Sequence, residues 1–318
     1  MRWATYRRAD GPGDRVGLVV GDAVHGLEAD TTLIDLLGDD GERLARAGDR
    51  ARRDPHEVVP LASVRLLPPV PRPPTLRDFY AFEAHVRAAW ALRGQPVDPA
   101  WYRAPAFYFS NPLACVGDGA IVSAPPGCLE LDFELEVAAV VGREGRDLAP
   151  EDADGYLAGF CICNDWSARD LQRLERPVGL GPVKGKDFAT TLGPVLVTPD
   201  ELQDRRRGKA YDLQMTAAVN GRPCSGASLA DLHWSFAEMV AQASRGSRVV
   251  PGDVIASGTC GTGCILELAG TEGAERHPWL EPFDQVVLTV ERLGELRNPI
   301  GPRSGGPDRG SHRQPAAP

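Results

Sequence analysis

Long hydrophobic runs are missing from this 318-residue sequence. A membrane-spanning helix requires roughly 18 to 20 consecutive apolar residues, and no run approaches that length. The N-terminal stretch MRWATYRRADGPGDR also lacks the apolar segment of a signal peptide. We therefore expect no membrane partner and a cytoplasmic location.

Positive charge is also scarce, because 35 Lys and Arg face 44 Asp and Glu, for a net charge of -9. Nucleic-acid-binding proteins usually carry a basic face that neutralises phosphates, so nucleic acid is not the expected partner. The seven cysteines are odd in number and scattered singly, unlike the dense even sets of small disulfide-bonded domains. We expect reduced thiols. No internal repeat and no G-x-G-x-x-G dinucleotide loop is present.

Glycine and proline are abundant, with 35 and 28 residues, and favour strands joined by many turns over a helical bundle. Residues 16–27 predict a hairpin, residues 31–54 are helix-like, and residues 229–246 predict a clear helix. A proline-rich stretch over residues 66–79 predicts an extended connector. We expect an α+β, mostly β protein with a small N-terminal domain (1–70), a main domain (71–298) and a disordered tail (299–318).

The segment ELDFELEV, residues 130–137, alternates acids with large apolar residues. Period two predicts a strand that buries its apolar face and places Asp132, Glu134 and Glu136 together on the other. A solvated outer face is the simplest interpretation. The apolar run VAAVVG that follows favours a buried strand instead, and buried acids need a partner such as a divalent cation with oxygen ligands.

Three further segments carry chemistry. In residues 161–172 an apolar strand runs into Asn-Asp, where Asp165 is a candidate helix N-cap or could share one helix face with Arg169 and Gln172. The glycine-flanked loop 181–188 offers Lys186, although such a loop is more often a solvated turn. Asp78 and His85 are spaced i, i+7, so one helix would project both to the same side.

Several histidines and cysteines have plainer interpretations. A lone His85 would be a surface or packed helical residue. Cys161 and Cys163 lie on one face of an apolar strand as small buried hydrophobes, and no second pair with zinc-site spacing follows. Cys260 and Cys264 follow a Gly-Thr turn close to the candidate site, where packing is the simplest role.

Taken together, these motifs resemble the fumarylacetoacetate hydrolase family over most of residues 75–295. The segments that carry the resemblance are NDWSARDLQ at 164–172, E-x-E at 134–136, GKDFATTLGP at 185–194 and PGDVIASGT at 251–259. DFYAFEAH at 78–85 and LEL at 266–268 are closest to the fumarylacetoacetase branch. Arg176 departs from that branch, where an aromatic substrate contact is expected four residues after Gln172.

The resemblance implies a mixed β-sandwich roll, a homodimer and a bound Mg²⁺, Ca²⁺ or Mn²⁺ ion. By motif position, the metal ligands would be Asp78, Glu134, Glu136 and Asp165. The resemblance also makes His85 the general base and Glu267 the residue that orients it. It places Arg169, Gln172 and Lys186 around the developing oxyanion, with Tyr108 and Thr259 contacting a small-molecule oxo-acid or diketone.

These groups suit metal-dependent hydrolysis of a carbon–carbon bond in a β-diketone or acylpyruvate-type acid. The cation would stabilise enolate charge, and histidine is a suitable base because its ordinary pKa of about 6.5 lies near the working pH. Decarboxylation, isomerisation or dehydration on the same metal platform is the alternative. A non-catalytic metal- or ligand-binding protein is the alternative from another class.

Overall fold

Strands supply more of the backbone than helices do. The computed structural model describes residues 1–9, 11 and 13–303, so residues 304–318 of the predicted tail lie outside the described residues. The strands are β1 Arg2–Arg8, β2 Arg15–Val20, β3 Ala23–Gly26, β4 Glu57–Pro60, β5 Val64–Leu67, β6 Leu76–Phe79, β7 Phe107–Ser110, β8 Cys115–Val116, β9 Leu131–Asp132, β10 Leu135–Val141, β11 Gly145–Arg146, β12 Leu157–Asp165, β13 Ser167–Ala168, β14 Thr190–Val197, β15 Arg206–Arg207, β16 Ala210–Tyr211, β17 Gln214–Val219, β18 Arg222–Ser228, β19 Arg248–Val249, β20 Val254–Ala256, β21 Gln285–Val290 and β22 Gly294–Pro299.

The α-helices are fewer and lie around the sheets. They are α1 Glu42–Arg53, α2 Glu83–Ala91, α3 Pro150–Ala153, α4 Arg169–Glu175, α5 Phe236–Ser244 and α6 Ile265–Glu272. The α+β, mostly β class is confirmed. None of the helices in the described ranges is long and apolar enough to cross a bilayer.

One large sheet forms the frame, with the order β4-β3-β2-β1-β14-β12-β10-β20-β6-β7. Strand β1 pairs with β14, so the strands of the first 70 residues continue the same sheet as the rest of the chain. The domain boundary near residue 70 stays a prediction. A second, antiparallel sheet, β18-β17-β21-β22, packs across β12 and β14.

The central strands are buried on both faces because each face meets a different apolar layer. On β10, Leu135, Val137 and Ala139 belong to the core beneath the second sheet. Their neighbours Ala138 and Val140 pack into another core, built with residues of β1, β2 and α1. This arrangement explains the continuous apolar run that follows the acidic residues.

The local predictions have mixed outcomes. The 16–27 hairpin is confirmed as β2 and β3. The helix predicted over residues 31–54 begins only at Glu42, because Gly38 and Gly41 take positive φ angles of 102° and 88° that interrupt any earlier helix. The helix predicted over 229–246 spans Phe236–Ser244, where Ser235 and Glu238 cap each other's backbone N–H groups.

Candidate active site

Four acidic side chains converge at one end of the large sheet, three from strands β6, β10 and β12 and one from the residue just before β10. They are the four predicted metal ligands, Asp78, Glu134, Glu136 and Asp165, and one oxygen of each lies within 4.8 Å of the others. Strands β10 and β12 are antiparallel with Leu135 opposite Asn164, which sets Glu134 beside Asp165. Asp78 is the last residue but one of β6, and β20 lies between β6 and β10 in the sheet.

The cluster is buried and incompletely hydrogen-bonded. The four residues are between 0% and 6% exposed. Within the described part of the chain, Asp78 Oδ1, Glu136 Oε1 and Asp165 Oδ1 are buried without a hydrogen-bond partner. Orphaned carboxylate oxygens are costly, and several that point into one small space fit a hard divalent cation, which prefers oxygen ligands. The donor set therefore suits Mg²⁺, Ca²⁺ or Mn²⁺.

Two cationic side chains form ion pairs with the buried acids but do not neutralise all of their charge. Lys186 Nζ donates to Glu134 Oε2 at 2.6 Å and also to Asp165. Arg169 Nη2 lies 2.7 Å from Glu134 Oε1, and Arg169 Nε donates to Asp132 Oδ2 at 2.7 Å. Five buried carboxylates against two cationic side chains leave an excess of negative charge that a divalent ion would reduce.

The pKa shifts divide the acids by environment. Burial raises the pKa of Asp78, and the neighbouring charge of Asp165 adds to the effect. Burial and the charge of Asp78 likewise raise the pKa of Glu136. For Glu134 burial also opposes ionisation, but Lys186 and Arg169 outweigh it and lower the pKa. Without a metal ion, protons therefore compete for the cluster.

The strand predicted over 130–137 is interrupted, which corrects one part of the sequence interpretation. The apolar face is buried as predicted, but Phe133 and Glu134 lie between β9 and β10. The Glu134 N–H donates to the side chain Oδ1 of Asn164 at 3.0 Å instead of to a strand partner. The simplest interpretation, a solvated acidic face, was wrong.

Asp132 separates from the two glutamates on that face. Its carboxylate accepts the backbone N–H groups of Ile265 and Leu266, at 2.7 and 3.0 Å, at the start of α6. It also pairs with Arg169. Asp132 therefore anchors α6 and Arg169, a role that the strand pattern alone did not indicate.

The single helix face suggested for Asp165, Arg169 and Gln172 was also wrong. Asp165 ends β12, and α4 begins at Arg169 after the non-polar N-cap Ala168. Arg169 and Gln172 still meet on α4, whereas Asp165 shares Lys186 with Glu134. Arg169 Nη1 donates to Gln172 Oε1 at 3.1 Å.

His85 and Glu267 form a buried pair beside the acid cluster. His85 Nδ1 lies 2.7 Å from Glu267 Oε2, and Glu267 Oε1 accepts the Thr262 N–H at 2.9 Å. Asp78 and His85 do not share one helix as suggested, because Asp78 lies on β6 and His85 on α2. The tight connection between strand and helix brings both side chains to the same space.

Tyr108 and Thr259 border the acid cluster. Tyr108 is paired directly with Asp78 across β6 and β7, and its hydroxyl lies 3.0 Å from Asp78 Oδ2. Thr259 follows Gly258, whose N–H donates to Glu136 Oε2 at 3.2 Å. Gly258 has a φ of +78°, and an added Cβ would collide with the Phe79 carbonyl oxygen, so glycine is required here.

These groups open into one cavity of about 490 Å³. All the predicted site residues except Asp165 and Glu267 line it. The polar lining residues outside the predicted set include Tyr80, Arg93 and Arg176, the last of which the sequence marked only as a departure from the fumarylacetoacetase branch. Tyr80 could have been found from its place two residues after Asp78, whereas Arg93 carries no local motif.

The fold and site thus define a β-rich protein with a buried, cation-suited carboxylate cluster beside a His–Glu pair. Residues 75–301 match the family model described as fumarylacetoacetate (FAA) hydrolase C-terminal. The chain therefore belongs to the fumarylacetoacetate hydrolase family.

Relatives in this family have several activities. The chain is 30% identical over 243 residues to oxaloacetate tautomerase YisK of Bacillus subtilis (strain 168), which covers 76% of this chain and 74% of the tautomerase. It is 29% identical over 297 residues to fumarylacetoacetase of Oryza sativa subsp. japonica, with 76% of this chain and 69% of that protein covered.

Solved structures share the fold. The fumarylacetoacetate hydrolase of psychrophilic Exiguobacterium antarcticum is similar at a TM-score of 0.72 and 24% identity, covering 95% of this chain and all of that chain. Maleylpyruvate hydrolase from Sphingobium sp. SYK-6, solved with manganese(II) and pyruvate, has a TM-score of 0.70 and 24% identity over 96% of this chain and 100% of its own.

Proposed function

We propose that this protein is a metal-dependent hydrolase that cleaves a carbon–carbon bond in a β-diketone or acylpyruvate-type acid. One observation carries the proposal: three of the four clustered carboxylates, two of them with an orphaned oxygen, line the same cavity as His85, whose ring is held by Glu267. We propose Mg²⁺ as the metal, with Mn²⁺ or Ca²⁺ as substitutes, held by Asp78, Glu134, Glu136 and Asp165. The related maleylpyruvate hydrolase, solved with manganese(II) and pyruvate, supports a divalent ion beside an oxo-acid.

When bound, the metal ion supplies Lewis-acid stabilisation of negative charge on the substrate oxygens. His85 supplies the base. Its Nδ1–H donates to Glu267, which leaves Nε2 with a lone pair to take a proton from water. The hydroxide adds to the carbonyl carbon, the adjacent carbon–carbon bond breaks, and the leaving carbon keeps the electron pair as an enolate. A proton then returns to that carbon and releases a carboxylic acid and a ketone.

Arg169, Gln172 and Lys186 hold the oxyanion formed by addition of water. All three line the cavity, and Arg169 is fixed by Asp132 and Gln172 while Lys186 is fixed by Glu134. Donors that are already positioned need no reorganisation during the reaction. Loss of one such donor typically costs about 3 to 4 kcal/mol of transition-state stabilisation.

The cavity also suits the acid group of the substrate. Arg93 and Arg176 line it, and within the described residues neither guanidinium forms an ion pair with a carboxylate. Burial lowers the pKa of Arg176, and the neighbouring charge of Arg93 adds to the effect. Two like charges at one cavity favour an anionic substrate. Tyr108 and Thr259 contact the substrate on the side of the acid cluster.

A second candidate is a reaction on the same metal-enolate platform, such as tautomerisation, isomerisation, dehydration or decarboxylation of a 2-oxo acid. The 30% identity to an oxaloacetate tautomerase over 76% of this chain favours it. These reactions need the metal but no activated water. His85→Ala should therefore abolish hydrolysis, whereas a tautomerase or decarboxylase would lose turnover only when the metal ligands change.

The deciding experiment assays a panel of acylpyruvates and 2-oxo acids with Mg²⁺, with Mn²⁺ and with EDTA, using the wild type, His85→Ala and Glu136→Gln. Hydrolysis predicts loss of turnover in both variants. Glu151→Gln, which changes an exposed acid on α3, is the matched control for charge. Turnover that persists in His85→Ala but not in Glu136→Gln would support the alternative reactions. No metal-dependent turnover on any compound would favour a non-catalytic binding protein.

We also propose a cytoplasmic homodimer. Large apolar side chains are exposed together near one edge of the fold, where Ile121 is 68% and Phe283 86% exposed. They are neighbours because Val122 bridges to Ile300, and Phe283 N–H donates to the Ile300 carbonyl. Exposed apolar patches mark association surfaces. Light scattering on the eluting protein should give twice the monomer mass, and Phe283→Ser should lower it.

A further inference from the structure

A second group of metal-ligating side chains lies beside the acid cluster, and its chemistry is different. Cys264, His85 and Glu267 each offer one ligand atom, and these atoms lie within 4.8 Å of one another. All three residues are buried, with Cys264 fully buried and the other two 5% and 6% exposed. The proposed reaction uses His85 and Glu267 but gives no task to the Cys264 sulfur. From this geometry we propose that the three residues form a separate zinc site, and that zinc bound there inhibits the enzyme.

The three side chains are brought together by two packed helices. Cys264 is the N-cap of α6 and Glu267 is its third residue, so the i, i+3 spacing sets both on one side of the first turn. Helix α2 packs against α6 and presents His85 to that turn. The ligand positions therefore rest on helical backbone and do not depend on a loose loop.

The donor set favours zinc over the ions that suit the acid cluster. Sulfur and imidazole nitrogen are ligands for Zn²⁺, whereas Mg²⁺ and Ca²⁺ prefer oxygen alone. Three protein ligands with a water molecule in the fourth position is a common zinc arrangement. The neighbouring four-carboxylate cluster offers no sulfur or nitrogen ligand. In a mixture of these ions, we therefore expect Zn²⁺ to bind the Cys264–His85–Glu267 group and Mg²⁺ or Ca²⁺ to bind the carboxylate cluster.

The contact between His85 and Glu267 must open to admit an ion. Zinc ligands at about 2.0 to 2.3 Å from a tetrahedral ion lie about 3.3 to 3.8 Å from each other. The present distance between His85 Nδ1 and Glu267 Oε2 is 2.7 Å, because the two share a hydrogen bond. Opening that contact by about 0.6 Å would bring this pair to the spacing of zinc ligands, and the Cys264 sulfur lies within 4.8 Å of a ligand atom of each. His85 borders the main cavity, which provides the path of entry.

Binding zinc would convert the thiol to a thiolate. Burial raises the pKa of Cys264 well above its ordinary value, so the thiol is protonated in the metal-free protein. A zinc ion deprotonates a thiol that coordinates it, and the proton leaves to solvent. Neither an oxidant nor a reductant is needed.

Inhibition follows from the shared ligands. A zinc ion that takes the ring nitrogen of His85 and the carboxylate of Glu267 removes the hydrogen bond between them. The water-activating base is then lost. This inhibitory consequence rests on the proposed hydrolase function, whereas the binding of zinc does not.

Binding is tested with Co²⁺ as a spectroscopic substitute for zinc, added to the full-length protein in the presence of saturating Mg²⁺. Coordination by Cys264 produces a near-ultraviolet sulfur-to-cobalt charge-transfer band that Zn²⁺ removes by competition. Cys264→Ala should abolish the band. Cys260→Ala is the matched control, since Cys260 is also fully buried but lies outside the cluster, and it should retain the band. Glu136→Gln should retain it as well, because the acid cluster does not supply the sulfur.

Inhibition is tested on the Mg²⁺-loaded enzyme with buffered Zn²⁺. Cys264→Ala should raise the zinc concentration needed for half inhibition at least about 10-fold. Loss of a residue that only hydrogen-bonds to a metal ligand already lowers metal affinity about 10- to 100-fold, and loss of a ligand should cost at least as much. If Cys264→Ala does not fold, Cys264→Ser serves in its place, and the wild-type band is decisive by itself.

Absence of a charge-transfer band in the wild type, or a band unchanged in Cys264→Ala, would overturn the proposal. Zinc inhibition equal in wild type and Cys264→Ala would place the inhibitory ion in the acid cluster instead. Absence of any turnover, with the band present and dependent on Cys264, would refute the proposed function and leave the zinc site intact.

Discussion

Arg169 and Asp132 form a buried ion pair in which Arg169 Nε donates to Asp132 Oδ2 at 2.7 Å. Arg169 is 6% exposed and Asp132 is fully buried. The same guanidinium reaches Glu134, and Asp132 also holds the first turn of α6. The pair thus connects the acid cluster to the helix that carries Glu267.

Removal of Arg169 should destabilise the protein. Arg169→Gln leaves the buried Asp132 carboxylate without a cation and Glu134 with Lys186 alone. We expect a loss of about 3 to 5 kcal/mol in the free energy of unfolding. Arg173→Gln, four residues later on α4, breaks an ion pair to Glu130 in which Arg173 is 52% exposed, and should cost less than about 1 kcal/mol. Urea denaturation measures both values. Equal losses in the two variants would contradict a structural role for the buried pair.

Neutralising one metal ligand should separate stability from metal binding. Glu136→Gln removes a buried charge with an orphaned oxygen, so the metal-free variant should unfold at a temperature equal to or higher than that of the wild type. Its affinity for Mn²⁺ should fall at least about 10-fold. Calorimetry measures both quantities. A variant that is less stable and still binds Mn²⁺ normally would show that Glu136 serves the fold rather than the ion.

The effect of metal on stability should depend on pH. The folded-state pKa values of Asp78 and Glu136 are raised, so their contribution to stability is present at low pH and is lost as the pH rises above the ordinary carboxyl pKa of about 4. Mg²⁺ binds the ionised carboxylates. The difference in Tm between Mg²⁺ and EDTA should therefore be larger at about pH 8 than at about pH 5. The double variant Asp78→Asn, Glu136→Gln should show no such pH dependence, and a wild type that behaves like it would refute this account.

His85 and Glu267 should act as one unit in catalysis. His85→Ala should reduce kcat about 100- to 10,000-fold, as expected for loss of a general base. Glu267→Gln should cost less, because the base remains but its orientation and charge support are weakened. The double variant should be no slower than His85→Ala, since Glu267 acts only through the ring. Additive losses would indicate that Glu267 has an independent role.

Arg176 should contribute to recognition of the substrate acid. Its guanidinium lines the cavity without a carboxylate partner within the described residues. Arg176→Gln should raise KM for an anionic substrate about 10-fold, while kcat stays near its original value, because one charge-assisted hydrogen bond is lost. Arg176→Lys should recover part of the affinity. The same KM increase with a neutral ester of the substrate would rule out a charge-based role.

Much of the local pattern could be predicted from the residues. Alternation in 130–137 identified Leu131, Phe133, Leu135 and Val137 as core, and all four are at most 1% exposed. The resemblance selected the four acids that converge in the structure. Residue spacing alone predicted the wrong elements here. It placed Asp78 and His85 on one helix and Asp165 on a helix face, whereas Asp78 and His85 lie on different elements and Asp165 ends a strand. An argument from residue spacing holds only within one helix or strand. Each of these segments passes from a strand to a helix at the site, so the spacing does not apply across it.

The sequence by itself determined the β-rich class, the buried apolar faces and the residue types available for chemistry, because these depend on composition and on local periodicity. Only the tertiary structure decided which acids share a cation-sized space and which acid anchors a helix. Asp132 and Glu134 are two residues apart, yet one holds the amides of α6 and the other joins Asp165 and Lys186. Their roles differ because the partners are distant in the chain, with Lys186 52 residues from Glu134 and Ile265 133 residues from Asp132, and only packing brings those partners near.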